Sequence, residues 1–72
     1  MIDTNNLGKK IASARKHSRL TQSDLASRVG VTAQAVSKWE RGNACPDIAI
    51  LDEIASALGI SLVELLGVDS SL

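Results

Sequence analysis

The chain has no tyrosine, no phenylalanine and a single tryptophan, Trp39. It also has only one cysteine and one proline among its 72 residues. With a single aromatic the core has to be assembled from Leu, Ile, Val and Ala. These fill space best between closely packed helices, and strand-favouring side chains are thinned out. Cys45 alone cannot form an internal disulfide, which fits a reducing cytosol. The longest unbroken apolar run, Ile48-Ala49-Ile50-Leu51, is far too short to cross a bilayer. Met1 to Asn6 offers neither the basic nor the apolar stretch of a signal peptide. A cytoplasmic chain without a membrane segment is expected, forming one domain over residues 1–72.

Bases are missing altogether from residues 43–72, which carry five acids (Asp47, Asp52, Glu53, Glu64 and Asp69), net −5. Residues 1–42 hold all eight bases (Lys9, Lys10, Arg15, Lys16, Arg19, Arg28, Lys38 and Arg41) against Asp3, Asp24 and Glu40, net +5. The formal zero charge therefore hides a division between halves, a compositional hint of a nucleic-acid partner. Residues that would argue for catalysis or metal binding are also sparse. There is no nucleophile–base set and no phosphate-binding glycine loop, so no catalytic residue is expected. His17 has no Cys, Asp or Glu at ligand spacing, so neither a metal nor another cofactor is expected.

Glycines punctuate what is present. Gly30, Gly42, Gly59 and Gly67 each follow a short segment with helical apolar spacing, where a left-handed residue can end a helix. Thr21-Gln22-Ser23-Asp24 and Ser61-Leu62-Val63-Glu64 have the spacing of capping boxes; Thr32 suits a third cap, and Pro46-Asp47 a fourth start. These signals predict five helices over about 6–17, 22–29, 33–41, 47–58 and 62–66. The stripes Leu7/Ile11/Ala14, Leu25/Ala26/Val29 and Ile48/Leu51/Ile54/Ala55/Leu58 support the division.

Val29-Gly30-Val31-Thr32 is a tight connection between the second and third helices, the spacing of a helix-turn-helix unit. On the third helix, Gln34, Ser37, Lys38 and Arg41 fall within one arc of roughly 100°, opposite Ala35, Val36 and Trp39. An amide, a hydroxyl and two cations suit a major groove: Gln pairs with adenine, Lys reaches guanine, and Arg holds a phosphate. The bland alternative is a solvated helix face. Trp39 shares its face with Val36 and is read as core. Glu40, at the margin of the polar arc, would repel DNA unless a partner neutralised it.

The string Thr21-Gln22-Ser23-Asp24-Leu25-Ala26, then Val29-Gly30-Val31-Thr32, then Val36-Ser37-Lys38-Trp39-Glu40-Arg41-Gly42 resembles the central motif of the phage repressor/Cro-type (XRE-like) helix-turn-helix family. Pro46-Asp47, Leu51…Ile54-Ala55…Leu58-Gly59-Ile60 and Leu62…Leu65-Leu66 resemble its closing helices. The likeness runs from Leu7 to Leu66. It implies an all-α, five-helix, lambda-repressor-like domain, with its motif core at about 21–42 and closing helices at about 47–66. It further implies a transcriptional regulator, expected to repress, that binds a double-stranded operator as a homodimer with residues 33–41 in the major groove.

Carried across by position, the resemblance places Ala33, Gln34, Ser37 and Lys38 at base edges. Gln22, Thr32, Arg41 and Asn43 fall at phosphates, and Arg15 becomes the ion-pair partner of Glu40. Ala33 departs from the long polar side chain of many relatives, reducing that position to methyl contact with thymine. Asn43-Ala44-Cys45 lacks the lysines many relatives carry. Leu62, Val63, Leu66 and Val68 exceed what one short helix needs for its own core and are candidates for a dimer seam. The competing reading is a protein-interaction module, such as an antitoxin or the head of a larger regulator, with a protein partner on the acidic C-terminal half.

Overall fold

The structure, a computed structural model, describes residues 4–66. Five α-helices and no strand occur among them: α1 (Thr4–His17), α2 (Gln22–Val29), α3 (Ala33–Glu40), α4 (Ile48–Leu58) and α5 (Leu62–Leu66). The expected all-α, five-helix architecture is the one observed. Gly67 and Val68, assigned above to a helix end and a dimer seam, lie outside the described residues.

Local chemistry sets most boundaries. Thr21 Oγ1 accepts from the Asp24 backbone N–H at 2.9 Å, and Asp24 Oδ2 accepts from the Thr21 N–H at 2.9 Å, so the α2 capping box is closed in both directions. Thr32 Oγ1 accepts from the Ala35 N–H at 3.1 Å, and Asp47 Oδ1 accepts from the Ala49 N–H at 2.9 Å. Asp47 and Arg41 are thus caps, which shortens α4 and α3 by one residue against expectation. Gly30 ends α2 at φ 75° and Gly59 ends α4 at φ 71°, both left-handed.

Helix α1 ends at His17 as expected but starts two residues earlier. It is already helical at Thr4, although Thr-Asn-Asn reads as cap-forming sequence. Tertiary packing overrides that preference, because Asn5 lies directly against Gly42 in the turn after α3. At its other end α1 stops without a glycine. Arg19 takes the left-handed conformation at φ 60°, and the Leu20 N–H donates to the Arg15 carbonyl at 3.0 Å. The turn is held from outside: Arg15 Nη1 also donates to the Leu20 carbonyl at 2.8 Å.

Twelve buried apolar residues, from Leu7 on α1 to Leu65 on α5, form one core cluster. Trp39 belongs to it, as its shared face with Val36 implied. Helix α3 packs on both α1 and α2, α2 packs on α4, and α5 closes against α1 and α4. Ile48 departs from its stripe: it is 79% exposed while Leu51, Ile54, Ala55 and Leu58 are buried. Periodicity gives its side of the helix, but the first turn of α4 extends past the neighbours that cover the rest.

Gly8 fixes how closely the first and third helices approach. A Cβ at this buried position would collide with the backbone carbonyls of Trp39 and Glu40. The end of α3 is therefore seated on a notch in α1 that only glycine provides.

Candidate nucleic-acid interface

Apart from Gln22 at the start of α2, the residues singled out for DNA fall between Thr32 and Asn43, a stretch with a clear inner and outer side. On α3, Val36 and Trp39 are buried, while Ala33, Gln34 and Lys38 are exposed and Ser37 is half-buried. Thr32 is exposed at the cap, and Arg41 and Asn43 are exposed in the turn that follows. Arg41 Nε approaches the Ser37 carbonyl at 3.3 Å, a long contact that leaves the guanidinium available. The Asn43 N–H donates to the Lys38 carbonyl at 2.9 Å, while Gly42 at φ 76° turns the chain. The backbone that carries Arg41 and Asn43 is thereby fixed even though their side chains face solvent.

Behind this surface lies a polar cluster. Arg15 Nε donates to Glu40 Oε2 at 2.6 Å and Nη2 donates to Glu40 Oε1 at 3.0 Å. The two side chains are only 12% and 8% exposed, so the pair is largely buried rather than a loose surface contact. Gln22 Nε2 also donates to Glu40 Oε1, at 3.0 Å. Burial pushes the Glu40 carboxyl up, but hydrogen bonds from Arg15 and Gln22 and the charges of Arg15 and Lys16 outweigh it. The net effect holds that carboxyl below its ordinary value. The hydrogen bond to Glu40 and its charge hold the Arg15 guanidinium above its ordinary value against the opposing effect of burial. Glu40 thus stays ionised and is neutralised from inside, which removes the acid from the face that Gln34 and Lys38 present.

Geometry brings together more than spacing alone could. Gln22, expected only at a phosphate, is half-buried and donates one of its two amide N–H groups to Glu40, which couples the start of α2 to the end of α3. Gly8 and the Leu20 carbonyl also belong to this arrangement, and neither was singled out in the sequence. For Gly8 a signal was present: a glycine within α1 seven residues before Arg15, two turns along the same side.

Among the described residues no group of three or more His, Cys, Asp or Glu is placed to hold a metal ion. Nor is any helix there long and apolar enough to cross a membrane. Cys45 is a free, exposed thiol beyond the turn.

The helix-turn-helix family matches residues 11–65. The uncharacterized HTH-type transcriptional regulator y4dJ of Sinorhizobium fredii is 41% identical over 59 residues, covering 82% of this chain and 77% of that protein. Multiprotein-bridging factor 1 of Debaryomyces hansenii is 37% identical over 57 residues, or 79% of this chain, which spans only 38% of that relative's length. The structure of the P22 c2 repressor in complex with a synthetic operator matches with a TM-score of 0.81 at 35% identity, covering 88% of this chain and 96% of that one. A similar fold also accounts for 35% of the hydroxypropylphosphonic acid epoxidase of S. wedmorenis, with a TM-score of 0.82, 26% identity and 90% of this chain covered. The fold therefore also occurs within an enzyme chain. Capped α2, glycine turn, two-faced α3 and the matches to a regulator and a repressor agree: the chain belongs to the phage repressor/Cro-type (XRE-like) helix-turn-helix family.

Proposed function

We propose that the chain acts in the cytoplasm as a homodimeric transcriptional repressor, with α3 of each copy lying in the major groove of an operator half-site. Sequence-specific binding of double-stranded DNA and regulation of transcription come with family membership. The residue-level assignment is the proposal. Ala33, Gln34, Ser37 and Lys38 read base edges, with Gln34 and Lys38 carrying most of the discrimination through hydrogen bonds and Ala33 offering a methyl contact. Gln22, Thr32, Arg41 and Asn43 hold phosphates, helped by the unpaired N–H groups in the first turns of α2 and α3. In this reading the chain works as one domain by binding and not by catalysis.

The observation that carries the proposal is the division of α3. Its inner residues, Val36 and Trp39, are locked into the core, and its outer residues are exposed and carry no uncompensated acid, because Arg15 and Gln22 absorb Glu40. The dimer is supported by α5, where Val63 is 51% exposed and flanked by half-buried Leu62 and Leu66. Two copies joined there would present their recognition helices to half-sites about 34 Å apart on one face of the duplex. On the acidic half, exposed Asp52 lies one turn along α4 from exposed Ile48, a combination suited to a protein partner.

Selection of bound duplexes from a random pool at stated salt tests this reading. A palindromic consensus with half-sites one helical turn apart is expected. A consensus without two-fold symmetry would remove the dimer, and no enrichment at any salt would overturn sequence reading by α3.

A further inference from the structure

A cleft of about 780 Å³ lies on the other side of α1, bounded by α1, the turn after α4 and the side of α5. The cleft is open to solvent and large enough to seat a small organic molecule against one wall. Its position follows from the helical repeat. Gly8 and Arg15 face α3, whereas the cleft residues Lys10 and His17 each stand two positions later, about 200° around the axis. A ligand there would sit behind the reading head, not between it and DNA.

The lining is divided by chemistry. Half-buried Ala14 and Ile60 provide apolar surface continuous with the core, where they pack over buried Leu58. Lys10, Lys16 and His17 supply exposed cationic or hydrogen-bonding heads. The one acid, Glu64, is partly occupied: its Oε1 accepts from the Ser61 backbone N–H and from Ser61 Oγ, each at 3.3 Å. Among the described residues none of these three forms a salt bridge, in contrast to Arg15, although the Lys16 charge also acts on Glu40. Basic heads beside an apolar floor match a molecule that is anionic at one end and hydrocarbon at the other.

We propose that this cleft binds a small amphipathic organic anion, with its carboxylate held by Lys10 and His17 and its apolar body resting on Ala14 and Ile60. The site is separate from the DNA-reading residues, so the domain can hold ligand and operator together. Occupancy would report to α5, because Ile60 and Glu64 flank its start.

Amide NMR shifts during titration of the full chain with 4-phenylbutyrate test the proposal. The controls are the neutral 4-phenylbutyramide, inorganic phosphate and a capped hexaglutamate peptide. Saturable shifts confined to residues 10–18 and 58–64 are expected, with the amide and phosphate each binding about tenfold more weakly or worse. The Lys10→Gln/His17→Gln variant should lose about tenfold in affinity for 4-phenylbutyrate while retaining its operator binding, which also shows that it is folded. Equal binding of carboxylate and amide, or of phosphate alone, would overturn the two-part recognition. Tighter binding of the peptide would overturn the small-molecule assignment, and shifts scattered over the surface, or an unaffected variant, would overturn the site.

Discussion

Arg15 grips Glu40 with two hydrogen bonds, Nε to Oε2 at 2.6 Å and Nη2 to Oε1 at 3.0 Å, and spends its remaining nitrogen, Nη1, on the Leu20 carbonyl. One guanidinium therefore joins the end of α1, the entry to α2 and the end of α3. Removing it leaves a largely buried carboxylate with only Gln22 as a hydrogen-bonding partner. Arg15→Met is expected to cost about 3 kcal/mol in urea unfolding. Arg15→Met combined with Glu40→Leu should recover part of that loss, because the stranded charge is gone. A double variant less stable than the single would show that the pair contributes more than its desolvation costs.

The same carboxylate gives the fold a pH dependence of known sign. Glu40 is held below its ordinary value of 4.5, so the unfolded chain binds more protons than the folded one in this range. The stabilisation is present above the ordinary carboxylate range and is lost as pH falls through the lower, folded value. Asp24 adds to it in the same direction, its carboxyl lowered by hydrogen bonds from the Thr21 backbone and hydroxyl. Urea midpoints should be level near neutrality and fall below about pH 4.5, and Glu40→Gln should flatten that fall. An unchanged acid limb in the Glu40→Gln protein would assign the effect elsewhere.

Gly8→Ala tests the notch beneath α3. The added methyl meets two backbone carbonyls, those of Trp39 and Glu40, which cannot turn aside as a flexible side chain would. Although alanine favours helix, the expected result is destabilisation of about 1–3 kcal/mol, together with weaker operator binding, because the end of α3 is displaced. Stability equal to or above that of the parent would mean that α1 and α3 can separate at little cost.

What was legible in the sequence was what neighbouring residues decide among themselves. The Thr21–Asp24 box, the Thr32 and Asp47 caps and the left-handed glycines 30, 42 and 59 are all contacts within a few positions, and each appears in the fold. The Arg15–Glu40 pair came from family likeness, since 25 positions of separation carry no local signal. Gly8, the Gln22–Glu40 bond and the exposure of Ile48 depend on which helix lies across from which. Those facts come into being only when α1, α3 and α4 pack.

Arg19 was also illegible, because a left-handed residue that is not glycine leaves no mark in composition. At φ 60° it bears a steric cost of about 1–2 kcal/mol that glycine would not. Glycine gives back part of this by loosening the unfolded chain, by about 0.5–1 kcal/mol. Arg19→Gly is therefore expected to raise stability by about 0.5–1 kcal/mol in thermal or urea unfolding. A loss would show that the Arg19 side chain contributes contacts that outweigh the relief of its backbone.

The reading surface itself separates into two kinds of contact that solution measurements distinguish. Gln34 is exposed on the outer face of α3, with an amide able to donate to and accept from one base. Gln34→Ala should cost about 1–3 kcal/mol on the preferred operator and relax preference at one base pair per half-site. Arg41 stands past the end of the helix with its guanidinium free to meet a phosphate. Arg41→Ala should instead weaken every duplex to a similar degree and reduce the salt slope by about one counterion per half-site. The two variants therefore differ in kind: one changes the sequence logo at constant salt slope, the other the slope at constant logo. If Gln34→Ala lowered all sequences alike, Gln34 would move to the phosphate group. If Arg41→Ala altered the logo, α3 would reach the groove from its C-terminal end, with Arg41 rather than Gln34 over the bases.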